Sequence, residues 1–86
     1  EGASFQASLS PNPFLDQLTV SFKGGVPHGI HLTLFDPTGR GYAIQYRLVN
    51  NTLQIDRGQL PRGIYFLKIE NSDLRGRPVV WKVVAE

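Results

Sequence analysis

Residues 8–22 read SLSPNPFLDQLTVSF. The second half, QLTVSF, alternates with period two. Leu18, Val20 and Phe22 fall on one face, and Thr19 and Ser21 on the other, which is the pattern of a half-buried β-strand. The first half cannot continue that strand in the ordinary way. Pro11 and Pro13 have no N–H to give to a sheet ladder. Ser10 and Asn12 each precede a proline, which pushes both toward extended or polyproline-like angles. The segment reads as a rigid jog between two pieces of β-structure, with Asn12 held at a defined place.

Outward from this stretch the same alternation recurs. Seven candidate strands emerge: residues 4–9, 17–22, 29–35, 41–48, 52–56, 63–70 and 78–84. Ile30, Leu32 and Leu34 point inward from the third, Leu53 and Ile55 from the fifth, and Tyr65, Leu67 and Ile69 from the sixth. No apolar set recurs at helical spacing over three turns. The turns between strands have identifiable chemistry. DPTG, residues 36–39, fits a type I turn with Asp36 first, Pro37 second and Gly39 last. VNNT supplies Asn50 and Asn51, which tolerate the positive φ of a tight hairpin. KGGVPHG is a looser connection, and DLRGRP closes the last hairpin. Short strands punctuated every 8 to 12 residues predict an all-β fold, a small immunoglobulin-like antiparallel β-sandwich of about seven strands. The cysteine pair and tryptophan marker of antibody domains are missing, so the likeness is one of architecture.

The chain has 86 residues, enough for one small domain. A domain of this size buries only somewhat more than ~60% of its unfolded surface. It has no cysteine, so neither a disulfide nor a thiolate metal site supports the fold. The net charge of +2 is mild and the basic residues are scattered, which argues against a nucleic-acid partner. No apolar run is long enough to span a bilayer as a helix. The start, EGASF, lacks methionine and reads as a fragment or processed piece of a larger protein.

Catalytic chemistry finds little support. The two histidines, His28 and His31, sit in HGIH at the start of a strand. A metal site there would need a third ligand, the nearest carboxylate being Asp36. Asp16, Asp36, Asp56, Glu70 and Asp73 fall at strand ends or turns, where such residues serve structure. No glycine-rich loop precedes a helix. No catalytic, cofactor or metal residues are therefore assigned. Trp81, Tyr42 and Tyr46 would make a sugar-stacking platform only if they shared one accessible face.

Four pieces stand in order along the chain: PNPF, LFDPTGR, LPRGIYFLKIE and VVWKVVAE. Together they resemble the C-terminal sorting domain of proteins exported by the type IX secretion system of Bacteroidetes. The matching positions are Pro11, Asn12 and Pro13; Asp36, Gly39 and Arg40; Leu60, Gly63 and Tyr65; and Lys82. The resemblance runs from Leu9 onward, with residues 1–8 as the end of a linker and the start of the first strand, and 9–86 as the sorting domain. Pro37, and Pro78 with Trp81, depart from the usual pattern without removing a motif.

The resemblance implies a folded export signal rather than an enzyme. It would sit on the end of an N-terminal cargo that has reached the periplasm. Outer-membrane translocation machinery would carry the cargo out, and a surface sortase would remove the signal and attach the cargo to the cell surface. The rival reading is an immunoglobulin-like adhesive or carbohydrate-binding module. Leu60, Gly63 and Tyr65 also have structural readings: Leu60 plugs the sandwich end, Gly63 turns the chain, and Tyr65 buries its ring with its hydroxyl on a backbone partner. Lys82 has two, an edge-strand guard against aggregation or a docking contact. An exposed last strand would accept a receptor strand, or join two copies in a strand-mediated dimer. On that expectation, trimming the last five residues abolishes export and leaves the fold mostly intact.

Overall fold

The computed structural model describes residues 7–24, 29–71 and 78–86. Eight strands lie among them: β1 (Ala7–Ser10), β2 (Gln17–Phe22), β3 (Ile30–Phe35), β4 (Gly41–Tyr42), β5 (Gln45–Val49), β6 (Thr52–Asp56), β7 (Gly63–Asn71) and β8 (Val79–Ala85). They form two four-stranded antiparallel sheets, in the orders β1-β2-β6-β5 and β4-β3-β7-β8, with no helix among the described residues. This is the immunoglobulin strand order, with one short extra strand beside β3.

The alternation predicted from sequence places the core. Leu18, Val20 and Phe22 from β2 and Leu53 and Ile55 from β6 face Leu34, Tyr65, Leu67, Ile69, Val83 and Ala85 from the opposing sheet. All are buried, as is Phe14, while Ile30 and Leu32 pack against them half-buried. Apart from β5, which is exposed from Gln45 to Leu48, the strands thus give one face to a shared apolar layer and the other to solvent.

One candidate strand divides. Residues 41–48, expected as a single strand, are β4 and β5, which belong to different sheets. Ala43 and Ile44 carry the chain across the sandwich edge, and two-residue β4 ends before it can cover its side of the core. Tyr46 and Leu48 consequently remain exposed, although they pair with the buried Ile55 and Leu53. Of the first candidate strand, residues 7–9 lie in β1, and residues 4–6 lie outside the described part. So do most of KGGVPHG and DLRGRP, including His28.

The turns follow their sequence chemistry. Gly39 N–H donates to the Asp36 carbonyl at 2.9 Å, closing the expected i→i+3 turn. Asn50 carries φ 56° in the two-residue loop between β5 and β6, and Thr52 Oγ1 donates to the Val49 carbonyl at 2.7 Å.

Candidate functional site

Asn12 occupies the outer edge of β8. Strand β8 pairs with β7 on one side only, from Gly63↔Ala85 to Ile69↔Val79. On its other side the Asn12 amide donates through Nδ2 to the Lys82 carbonyl at 3.0 Å and accepts at Oδ1 from Val84 N–H at 3.0 Å. A side-chain amide carries the same donor and acceptor as a peptide unit, so Asn12 stands in for one residue of a ladder. The main chain takes over at Phe14. Its N–H donates to the Val84 carbonyl and its carbonyl accepts from Glu86 N–H, both at 2.9 Å, in a parallel bridge. The two prolines lie on either side of Asn12, where a missing N–H leaves no orphan; the Ser10–Pro11 and Asn12–Pro13 bonds are cis. The jog therefore closes the C-terminal half of the β8 edge. The last strand is not the freely exposed edge expected from sequence.

The Asp36 turn is tied to its own backbone. Asp36 Oδ1 accepts from Thr38 N–H (2.9 Å), Thr38 Oγ1 (2.6 Å) and Arg40 N–H (3.0 Å), and Oδ2 accepts from the Tyr42 hydroxyl at 2.9 Å. Hydrogen bonds to the charged form favour it, and the Thr38 hydroxyl leads in holding the Asp36 carboxyl at about 2. The same carboxylate pushes the Tyr42 hydroxyl above its ordinary value. The Tyr42 ring meets Tyr65 edge-on at 5.3 Å and carries the Arg40 guanidinium 5.6 Å from its centroid. Gly39 and Arg40 thus shape and cover this turn.

Tyr65 is buried, and its hydroxyl donates to the Pro61 carbonyl at 2.6 Å. A tyrosine near the start of this strand, bonded back to a carbonyl a few residues upstream, is the tyrosine corner of immunoglobulin-like folds. Gly63 has φ 153°, a conformation that a side chain rarely adopts. Leu60 packs against the core at that end. The structural readings of Leu60, Gly63 and Tyr65 agree with this geometry.

Arg57 gave no signal in the sequence. Its Nε donates to the Leu60 carbonyl at 3.1 Å and its Nη1 to the Leu15 carbonyl at 2.9 Å, with a further bond from Nη1 to the main-chain oxygen of Glu86. Two of these acceptors lie 42 and 29 residues away. No local pattern reports such a contact. The arginine pins the end of β8 and the segment after Phe14 to the 57–60 turn.

Lys82 differs from the other motif residues. Its side chain is exposed on the outer face of the β8 sheet and has no ionic partner among the described residues. It sits in register with Phe66 and, beyond that, Phe35, and the two rings stack at 5.6 Å. The sugar-platform arrangement is not formed. Trp81 and Tyr42 pack toward the core from opposite edges of one sheet, and Tyr46 belongs to the other sheet.

Trimming the last five residues, expected from sequence to spare the fold, would remove Val83 and Ala85 from the core and the anchors of Asn12 and Phe14. Such a truncation tests folding, not recognition.

Comparison with protein-family models matches residues 8–83 to one described as a secretion system C-terminal sorting domain. Neither the curated proteins nor the solved structures contain a match.

Proposed function

Because this chain belongs to the C-terminal sorting domains of the type IX secretion system, we propose that the export machinery reads its outer β8 face, with Lys82 as the exposed contact. A sorting domain is a signal and not a catalyst, and its cargo is secreted or carried at the cell surface. The finer course of events belongs to the proposal. A cargo fused ahead of the domain passes from the periplasm through the outer-membrane translocation machinery. A sortase then removes the domain and attaches the cargo to the surface. Residues 1–8 serve as the end of the linker and the start of the first strand, and 9–86 as the signal. A dimer joined strand to strand through β8 belongs to the same reading.

One observation carries the assignment of Lys82. Asn12 is engaged with β8, Asp36 with its own turn and Tyr65 with Pro61, whereas Lys82 spends its charge on nothing within the described fold. Pro11, Asn12, Pro13, Asp36, Gly39, Leu60, Gly63 and Tyr65 then support sorting by holding the sandwich rigid. A receptor strand along β8 has room only beside its N-terminal half, since Asn12 and Phe14 occupy the rest.

The test is a periplasmic reporter fused to these residues, expressed with and without the export apparatus. The reporter leaves the cell only when the apparatus is present. Lys82→Glu keeps the melting temperature of the isolated domain and lowers export. Retention of the wild-type fusion in the periplasm, with binding of the domain to a glycan panel, would transfer the assignment to an adhesive module.

A further inference from the structure

Strand β5 lies at the rim of its sheet and pairs with β6 on one side only. Two hydrogen bonds fix which of its main-chain groups are spent. Phe22 N–H donates to the Asn51 carbonyl at 3.3 Å, and Arg57 N–H donates to the Asp16 carbonyl at 2.9 Å. Asn51 and Arg57 therefore aim toward β2. So do Leu53 and Ile55, since residues two apart in a strand point their main-chain groups the same way. Thr52, Gln54 and Asp56 aim toward β5, where they meet Val49, Arg47 and Gln45. The N–H and C=O of Tyr46 and Leu48 are left facing outward, with no strand beside them among the described residues. These same two residues are apolar and exposed, Tyr46 by 44% and Leu48 by 61%. A cleft of about 470 Å³ opens at the Gln45 end of the strand, walled by Tyr42, Ala43, Leu60 and Pro61.

We propose that this edge takes an extended, acidic segment of a partner polypeptide as a further antiparallel strand. In this mode of recognition main-chain bonds give affinity and alternate side chains give selectivity. The partner residues opposite Tyr46 and Leu48 each exchange both main-chain bonds with them. Their side chains fall on the same face as Tyr46 and Leu48, so apolar groups there cover the exposed pair. The residue between them stands across from Arg47 on the outer face, where a carboxylate fits. Arg47 Nη1 lies 3.3 Å from Asp56 Oδ2, yet its side chain is 56% exposed and most of its donors are unspent. Past Gln45 the segment leaves the ladder and sets a last apolar side chain into the cleft.

Arg47 also decides against a second copy of the chain. Two β5 edges that both use Tyr46 and Leu48 pair about Arg47 and set guanidinium opposite guanidinium, an unfavourable placement of like charges. A strand with glutamate at that place turns the same side chain from a guard into an attraction. This edge belongs to the other sheet from Lys82, so the inference and the export reading are tested apart.

The probe is a capped hexapeptide, Thr-Val-Glu-Val-Thr-Leu, titrated into the isotope-labelled chain of 86 residues. Its valines fall opposite Leu48 and Tyr46, and its glutamate opposite Arg47. Saturable binding is expected, with the Tyr46 and Leu48 amide signals moving furthest and slowing in hydrogen exchange. N-methylation of the first valine removes the donor to the Leu48 carbonyl and abolishes binding. N-methylation of the glutamate, whose N–H points away from β5, leaves binding in place. Replacing the glutamate by lysine weakens binding about tenfold, and Arg47→Glu reverses that preference. Should Arg47→Glu fail to fold, the peptide series decides alone, because its changes lie in the probe. Absence of saturable binding overturns the proposal, as do equal binding of the two methylated peptides and shifts confined to β8. Tyr46 and Leu48 signals that move with protein concentration alone also overturn it, and assign the edge to a second copy.

Discussion

Replacing Asn12 by aspartate keeps the size and shape of the side chain and removes one capability, the donor at the Nδ2 position. In the native chain that donor reaches the Lys82 carbonyl at 3.0 Å, while the other amide atom accepts from Val84 N–H. The variant retains the acceptor. At neutral pH it sets a carboxylate oxygen against a carbonyl oxygen where a hydrogen bond stood. Loss of one such bond costs about 0.5–1.5 kcal/mol net. The residue is exposed, so water softens the repulsion that replaces the bond, and the whole effect is about 1–2 kcal/mol. Each kcal/mol is worth about 4–8 °C in Tm for a domain of this size. The carboxyl regains a donor when protonated, so the folded state favours its protonated form and raises its pKa above the unfolded value. The penalty is accordingly full at neutral pH and shrinks as pH falls through that raised value, toward and below the usual ~4. The measurement is urea unfolding of wild type and Asn12→Asp across this range, taken as the difference between them, so that Asp36 and other shared groups cancel. Equal stability at neutral pH, or a gap that does not narrow in acid, would refute the role of the amide as a substitute strand residue.

Other expectations follow from the same geometry. Asp36 has its carboxyl lowered from 3.8 to about 2, so its stabilising contribution is present above 3.8 and is lost as pH falls toward 2; Asp36→Asn should flatten that part of a stability–pH curve. Tyr65→Phe removes the bond to Pro61 and should cost about 1 kcal/mol by chemical denaturation, with the edge contact to Tyr42 retained. Gly63→Ala meets open space yet must hold φ 153°, and should cost about 1–3 kcal/mol from backbone strain alone. Leu67→Ala at a fully buried position should cost about 2–5 kcal/mol, whereas Lys82→Ala should stay within about 0.5 kcal/mol.

The sequence by itself determined the strands, their inward faces and the turn chemistry. These depend on neighbours a few residues apart: alternation sorts Leu18, Val20 and Phe22 from Thr19 and Ser21, and Asp36 with Gly39 closes a turn that needs nothing beyond its own backbone. The tyrosine that buries its ring and bonds a nearby carbonyl was legible for the same reason. Only the tertiary structure decided what lies beside β8. Local pattern marked Asn12 as rigidly held but could not name its partners, which are 70 and 72 residues away. Arg57 left no periodic trace, because a cation that gathers carbonyls from separate segments is specified by where the sheets bring those segments together. The division of residues 41–48 between two sheets was likewise invisible, since alternation looks the same whether a strand continues or changes sheet. Short-range sterics write themselves into the order of residues. Long-range hydrogen bonds between main chain and side chain appear only once the core has fixed which edges meet.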